Sequence, residues 1–444
     1  MIPNTEFYWG VATSAAQTEG ASFEDGKGPS IWDDFVARKK TDHKVKLLLT
    51  GTEFYYRYQD DIAILSELKI PNFRFSLSWP RILPNGTGAI NMKGLDFYDR
   101  VVDSCLEKNI TPWITLYHWD LPLALEQRGG WTNREIINWF DDYVTLCTKR
   151  LGDRVKNWMV LNEPMAFCGA GYFLGVHAPG RKGRANFVAA AHHAVLATSS
   201  GVDRIHSQVN NAFVGSTYSL SHVSPYRMTV PDVKAAKRVD DLLNNFFLFP
   251  ALGKGYPLSE LKFLSGIEKY MLPGDEQRMK ARLDFIGVQN YTREIIKFAP
   301  FAPFIKAATV SPKKRNVPFT EMGWEVYPEA IYQVLKKLSA IEGMPQLIVT
   351  ENGAAFADVF TADGSINDTA RVNYLETNIQ QVLKAKQEGI NVGGYFAWSL
   401  TDNFEWAEGY RPRFGLVNID YENHLKRTVK ASGKWYKQFI ENRL

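Results

Sequence analysis

The sequence predicts an α/β fold, a single (β/α)8 TIM barrel over residues 1–444 with elaborated βα loops. Eight short apolar or β-branched runs recur along the chain, amphipathic helical segments separate them, and no Gly/Ser, Pro-rich or charged linker interrupts the alternation. Strands apolar on both faces and separated by helices imply a buried parallel sheet. Eight such units suit a closed barrel better than an open doubly wound sheet. No glycine-rich dinucleotide fingerprint follows the first run, and Gly26-Lys27-Gly28 lacks both the spacing and the following helix of a phosphate loop.

The expected strands are Phe7–Thr13, Asn72–Trp79, Thr111–Trp119, Asn157–Glu163, Ala212–Ser219, Asp284–Asn290, Leu347–Glu351 and Gly394–Ser399. Between them, Thr132-Asn133-Arg134-Glu135 reads as a capping box. It opens a helix whose Ile136, Ile137, Phe140, Tyr143, Val144 and Cys147 share one face. Pro328 suits the first turn of a helix over Glu329 to Leu338. Asp368 caps another, with Val372, Leu375, Ile379, Val382 and Leu383 as its apolar stripe.

Bulk properties narrow the function. With 444 residues the chain exceeds the roughly 250 of a bare barrel, which leaves room for long loops. The net charge of +4 is small, and Lys39-Lys40 and Lys313-Lys314-Arg315 read as solvated loops, so nucleic-acid binding is not expected. No apolar stretch is long enough to span a membrane, and Met1–Glu6 has neither a basic nor an apolar signal region. Cys105, Cys147 and Cys168 form no CxxC, consistent with reduced thiols in a cytoplasmic protein. Aromatic residues make up 13%, a supply of rings for stacking on sugars or for filling a barrel core.

In such a barrel the active site lies where the strands end. The fourth run closes as Asn162-Glu163-Pro164 and the seventh as Thr350-Glu351-Asn352-Gly353, which puts two glutamates at one barrel mouth. Paired carboxyls are what glycoside hydrolysis requires, and their separation decides between retention and inversion. At this stage both outcomes, and a purely structural role, stay open. Other strand ends add hydrogen-bonding groups and rings: Gln17 and Glu19, Arg74, His118-Trp119, Gln289-Asn290-Tyr291, Trp398, and Asp402 to Trp406. Arg74 is placed to keep a carboxylate ionised, and Tyr291 to hydrogen-bond it. Neither a metal nor a cofactor is expected. The adjacent His192 and His193 diverge from a helix, His118 has no second histidine at ligand spacing, and HExxH and Gly-x-Ser-x-Gly motifs are missing.

At these residues the chain resembles glycoside hydrolase family 1, the retaining β-glycosidases that include β-glucosidases. The resemblance runs from Phe7 to Tyr436 through Trp9–Ser14, Gln17, Glu19–Ala21, Arg74–Ile82, Tyr117–Pro122, Asn162–Pro164, Thr350–Gly353, Trp398–Leu400, Asp402–Trp406 and Arg413–Gly415. It implies a retaining, exo-acting β-glucosidase, with Glu163 as acid/base and Glu351 as nucleophile. Arg74 and Tyr291 would orient Glu351, and Asn162 would meet the sugar 2-hydroxyl. Gln17, His118, Trp119, Gln289, Tyr291, Glu405, Trp406 and Phe414 would surround the sugar, with Trp398 as its platform. The implied ligands are small β-glycosides and short oligosaccharides.

Three positions depart from the family pattern. Gln289-Asn290-Tyr291 replaces Asn-Tyr-Tyr, so by register Gln289 takes the Asn position and Asn290 is not expected to bind sugar. Met165 stands where Trp is frequent, and Thr52-Glu53-Phe54-Tyr55 replaces Cys-Asp-His-Tyr. In the unalignable loop from Lys297 to Pro318, Phe298, Phe301, Phe304 and Ile305 would either line the leaving-group entrance or pack the loop down. A 6-phospho-β-glycosidase is the runner-up, disfavoured because the charge of Glu405 would repel phosphate. A transglycosylase would share the same intermediate.

Overall fold

A computed structural model of the chain describes residues 7–38 and 50–443. Eight parallel strands close a barrel: β1 Tyr8–Ala12, β2 Asn72–Ser76, β3 Thr111–Tyr117, β4 Asn157–Asn162, β5 Phe213–Ser219, β6 Phe285–Gln289, β7 Gln346–Asn352 and β8 Val392–Trp398. They neighbour one another in chain order, and β8 returns to β1 with Tyr8 opposite Gly394 and Ala12 opposite Trp398. Apart from first residues and Ser219, the strands are buried, which is why they read as continuous apolar runs without a polar face.

The barrel interior is packed. At its lower end Trp113, Phe213, Phe285 and Phe396 interlock with Tyr8, the Trp113–Phe396 ring centroids lying 5.1 Å apart and those of Phe213–Phe285 4.8 Å apart. Above this floor, Arg74 points inward from β2 between Thr115 and Met159. The high aromatic content therefore fills the barrel core, as one of the two readings of it foresaw.

Two helix starts differ from expectation. Thr132 ends a tight turn, Gly130–Thr132, and its hydroxyl donates to the Gly129 carbonyl at 2.7 Å. Gly129 and Gly130 both have positive φ and wind the chain so that Thr132 is not the extended residue an N-cap requires. The helix runs Ile136–Leu151, and Asn133 Oδ1 accepts from the Glu135 amide just before it. Asp368 does precede the helix Thr369–Gln387, yet its carboxylate binds Arg371 and Ser432 rather than the first-turn amides. Pro328 directly precedes the helix Glu329–Ser339 as its N-cap residue.

Of the basic clusters, Lys39-Lys40 lies outside the described residues, as does Met1–Glu6. Lys313 and Lys314 are exposed, whereas Arg315 turns inward to Glu325 at 2.6 Å. The three cysteines are buried thiols. The two adjacent imidazoles do diverge, His192 toward Tyr256 and Asp275, His193 toward the Trp131 carbonyl. Among the described residues no helix is long and apolar enough to cross a membrane.

Candidate active site

At the C-terminal end of the barrel opens a cavity of about 410 Å³. His118, Trp119, Glu163, Gln289, Tyr291, Glu351, Trp398, Glu405, Trp406 and Phe414 all line it, although five different strand ends and the loop after β8 supply them. Arg74, Asn162 and Gln17 do not reach its wall.

Glu163 follows β4 in a left-handed conformation, with φ 47°, and caps the short helix Pro164–Cys168. This turn swings the side chain off the strand line and into the mouth. Glu351 stays within β7, and Gly353 after it passes beside β8. A Cβ there would stand 2.0 Å from the Trp398 carbonyl oxygen, so only glycine fits.

The two carboxyl groups have opposed surroundings. Glu351 is bound by the Arg74 guanidinium on one oxygen and accepts from the Tyr291 hydroxyl on the other at 2.6 Å. Burial pushes its carboxyl up, while Arg74 and Tyr291 pull it back down. Among the described residues no cation contacts Glu163. Burial first, and the nearby Glu351 second, push its carboxyl up to about 8. A proton shared by the pair therefore resides on Glu163.

Asn162 is the hub behind the pair. Its Oδ1 accepts from Arg74 at 2.6 Å, Gln289 at 2.7 Å and Thr217 at 2.8 Å, while its carbonyl accepts from Trp119 Nε1 at 2.8 Å. Its Nδ2 donates to His118 Nε2 at 3.1 Å. With Nε2 accepting, the His118 proton sits on Nδ1, which is buried with no partner among the described residues. Burial and Arg74 hold this imidazole well below its ordinary pKa, so it is neutral.

Gln289 lines the cavity but directs its amide to Asn162 and Thr217, leaving Oε1 buried with no partner among the described residues. Asn290 turns away to the Leu220 and Thr292 carbonyls. Gln17 lies one layer behind the wall. Its Nε2 donates to Asn403 Oδ1 and the Phe404 carbonyl, and Oε1 accepts from Ser14, so it braces the chain entering Glu405.

Indoles form the far wall. Trp119 and Trp406 rings lie 4.6 Å apart, Trp32 backs Trp406 at the same spacing, and His118 stacks parallel to Trp398 at 6.0 Å. Glu405 carries a carboxyl raised to about 8 by burial and by Glu351 and Glu408. A carboxyl raised this far carries less charge at neutral pH, which weakens the expectation that its charge would repel phosphate. The stronger objection to a phosphate is that none of the described lining residues is Lys or Arg. Behind this loop the buried Lys430 bonds Asp358 and Asp402 at 2.8 Å each, and Asp402 also accepts from the Gly415 amide.

Residues not singled out from the sequence complete the mouth. Trp324 lies 5.3 Å from the Tyr291 ring, and His177, Ser219, Met322 and Glu408 join the wall. Ala166 lines it whereas Met165 packs against the core. None of the four named loop residues lines the cavity: Phe304 packs on Phe173 and Phe263, Ile305 meets the core, and Phe301 is 98% exposed. Thr52–Tyr55 leads into the helix Phe54–Glu67, away from the cavity.

The chain is 43% identical to beta-glucosidase A of Thermotoga maritima over 441 residues, 98% of this chain and 97% of that one. It is 41% identical to beta-glucosidase A of Acetivibrio thermocellus, covering 98% of each. The solved family 1 b-glucosidase from Thermotoga maritima superposes with a TM-score of 0.94 at 42% identity, over 99% of this chain and 98% of that one. A structure of the beta-glucosidase from the same organism in complex with deoxynojirimycin superposes at 0.92, at 42% identity over 98% of each chain. Residues 2–444 match the family described as Glycosyl hydrolase family 1, so the resemblance read from strand ends holds along the whole chain, which belongs to glycosyl hydrolase family 1.

Proposed function

We propose that the chain is a retaining, exo-acting β-glucosidase that removes terminal β-D-glucosyl residues from small β-glucosides and short oligosaccharides, through a covalent glycosyl-enzyme. The observation that carries this is the opposed environment of Glu163 and Glu351 in one cavity. A nucleophile has to be ionised and a general acid protonated at the same pH, and only divergent surroundings allow both.

In this reading Glu351, aligned by Arg74 and Tyr291, attacks the anomeric carbon. Glu163 gives its proton to the departing oxygen, then accepts one from the water that cleaves the glycosyl ester. Trp398 supplies the platform beneath the sugar. His118, Trp119, Glu405 and Trp406 face its hydroxyls, and Asn162 would turn its amide from His118 to the 2-hydroxyl. Galactosyl and fucosyl substrates fit the same machinery, since Glu405 can bond neighbouring hydroxyls of either epimer. The buried, unpaired cysteines support a cytoplasmic setting.

The decisive experiment uses Glu351→Gly with an aryl β-glucoside. Turnover is abolished, and added azide restores it as the α-glucosyl azide. Recovery of the β-azide would reassign the nucleophile.

A further inference from the structure

The cleft continues outward past Tyr291 along a second, smaller sheet. Its middle strand, Arg293–Phe298, pairs with His222–Pro225 on one side and Ala307–Thr309 on the other. Side chains alternate along a strand. Arg293 accordingly faces away and binds Glu325 at 2.8 Å, while Thr292 and Glu294 line the cavity, next to Ser221. Glu294 lies three residues beyond Tyr291, at most about 10 Å of chain. That reach places it past the sugar held over Trp398, on the path of whatever leaves.

Glu294 has spare hydrogen-bonding capacity. Thr309 Oγ1 donates to one of its oxygens at 3.1 Å. The two arginines near it, Arg293 and Arg315, both bind Glu325 instead. Its carboxyl is raised, chiefly by burial, but remains an acceptor. Glu408 on another part of the same wall adds a second carboxylate, held by Arg411 at 2.7 Å.

We propose that Glu294 is a specificity-determining residue for the leaving group: it accepts hydrogen bonds from the hydroxyls of a sugar leaving group and disfavours leaving groups that carry negative charge. This rests on the β-glucosidase reading above. Glutamine at the position keeps the size and can still accept from Thr309, so a role confined to holding the hairpin would survive that change.

The test compares kcat/KM for cellotriose, 4-nitrophenyl β-glucoside and 4-carboxyphenyl β-glucoside at neutral pH, in the wild-type chain, Glu294→Gln and Glu294→Ala. In Glu294→Ala the ratio of cellotriose to 4-nitrophenyl β-glucoside falls about tenfold, the scale of a hydrogen bond to a charged group. In Glu294→Gln the ratio of 4-carboxyphenyl to 4-nitrophenyl β-glucoside rises about threefold, the scale of one charge removed at the partly buried rim of the cleft. Ratios unchanged in both variants of an active enzyme overturn the Glu294 assignment alone. A wild-type chain that turns over none of the three substrates overturns the β-glucosidase reading with it.

Discussion

Arg74 grips Glu351 and Asn162 with one buried guanidinium, so the orientation of the proposed nucleophile and that of the proposed 2-hydroxyl contact are set by the same side chain. Replacing Arg74 by methionine removes the fixed cation from Glu351. A carboxylate that loses its cation is harder to ionise. The expected result is an acid limb of the kcat/KM profile displaced to higher pH, since Glu351 must be unprotonated to attack, together with a fall in kcat of about a hundredfold or more. An acid limb that stays in place would show that Arg74 does not tune Glu351.

In the proposed mechanism Glu163 governs the opposite limb. With its carboxyl held at about 8, activity should be full below that pH and decline as pH rises through it, because the acid loses its proton. Glu163→Gln should erase this alkaline limb. It should lower kcat/KM on cellobiose by about a thousandfold, and by much less on 2,4-dinitrophenyl β-glucoside, whose leaving group departs without help. Equal losses on both substrates would contradict an acid role.

The two carboxyls also act on each other. Glu351 is the second cause, after burial, of the raised Glu163 pKa. Glu351→Gln removes that negative neighbour and should lower the Glu163 pKa from about 8. Carbon-detected NMR titration of labelled glutamate in the inactive variant reads the shift directly. No downward movement would mean that Glu351 has no part in holding the proton on Glu163.

Lys430 supports the loop that carries Glu405, Trp406 and Phe414. Lys430→Met leaves Asp358 and Asp402 buried without their shared cation, and a broken buried pair costs about 3–5 kcal/mol. Chemical denaturation should show that loss. The KM for cellobiose should rise as well, because Asp402 fixes the Gly415 amide beside Phe414.

What the sequence made legible follows from what repeats in it. The eight barrel strands are buried on both faces, so each stands out as an apolar run, and Glu163 and Glu351 stand out because each ends one. The start of the helix Ile136–Leu151 was misread because Thr132-x-x-Glu135 has the letters of a cap, while the turn at Gly129-Gly130 decides the geometry. Gln17 reads as a site residue by position, yet its amide is consumed by Asn403 and Phe404, nearly four hundred residues away. Trp324, His177 and Glu294 left no trace in the sequence. They lie in excursions between strands, and only the closing of the barrel gathers them at one mouth.

The aromatic floor of Tyr8, Trp113, Phe213, Phe285 and Phe396 imposes an order of traffic on catalysis. Among the described residues these rings fill the lower end of the barrel, so in the proposed mechanism the departing alcohol and the incoming water both pass the upper mouth. In that reading water reaches the glycosyl-enzyme once the first product has left the passage. Whatever next occupies it, water or a second sugar, inherits the proton-accepting Glu163. In the proposed mechanism the groups lining that passage, Trp324 and Glu294 among them, bias which acceptor reaches the glycosyl ester.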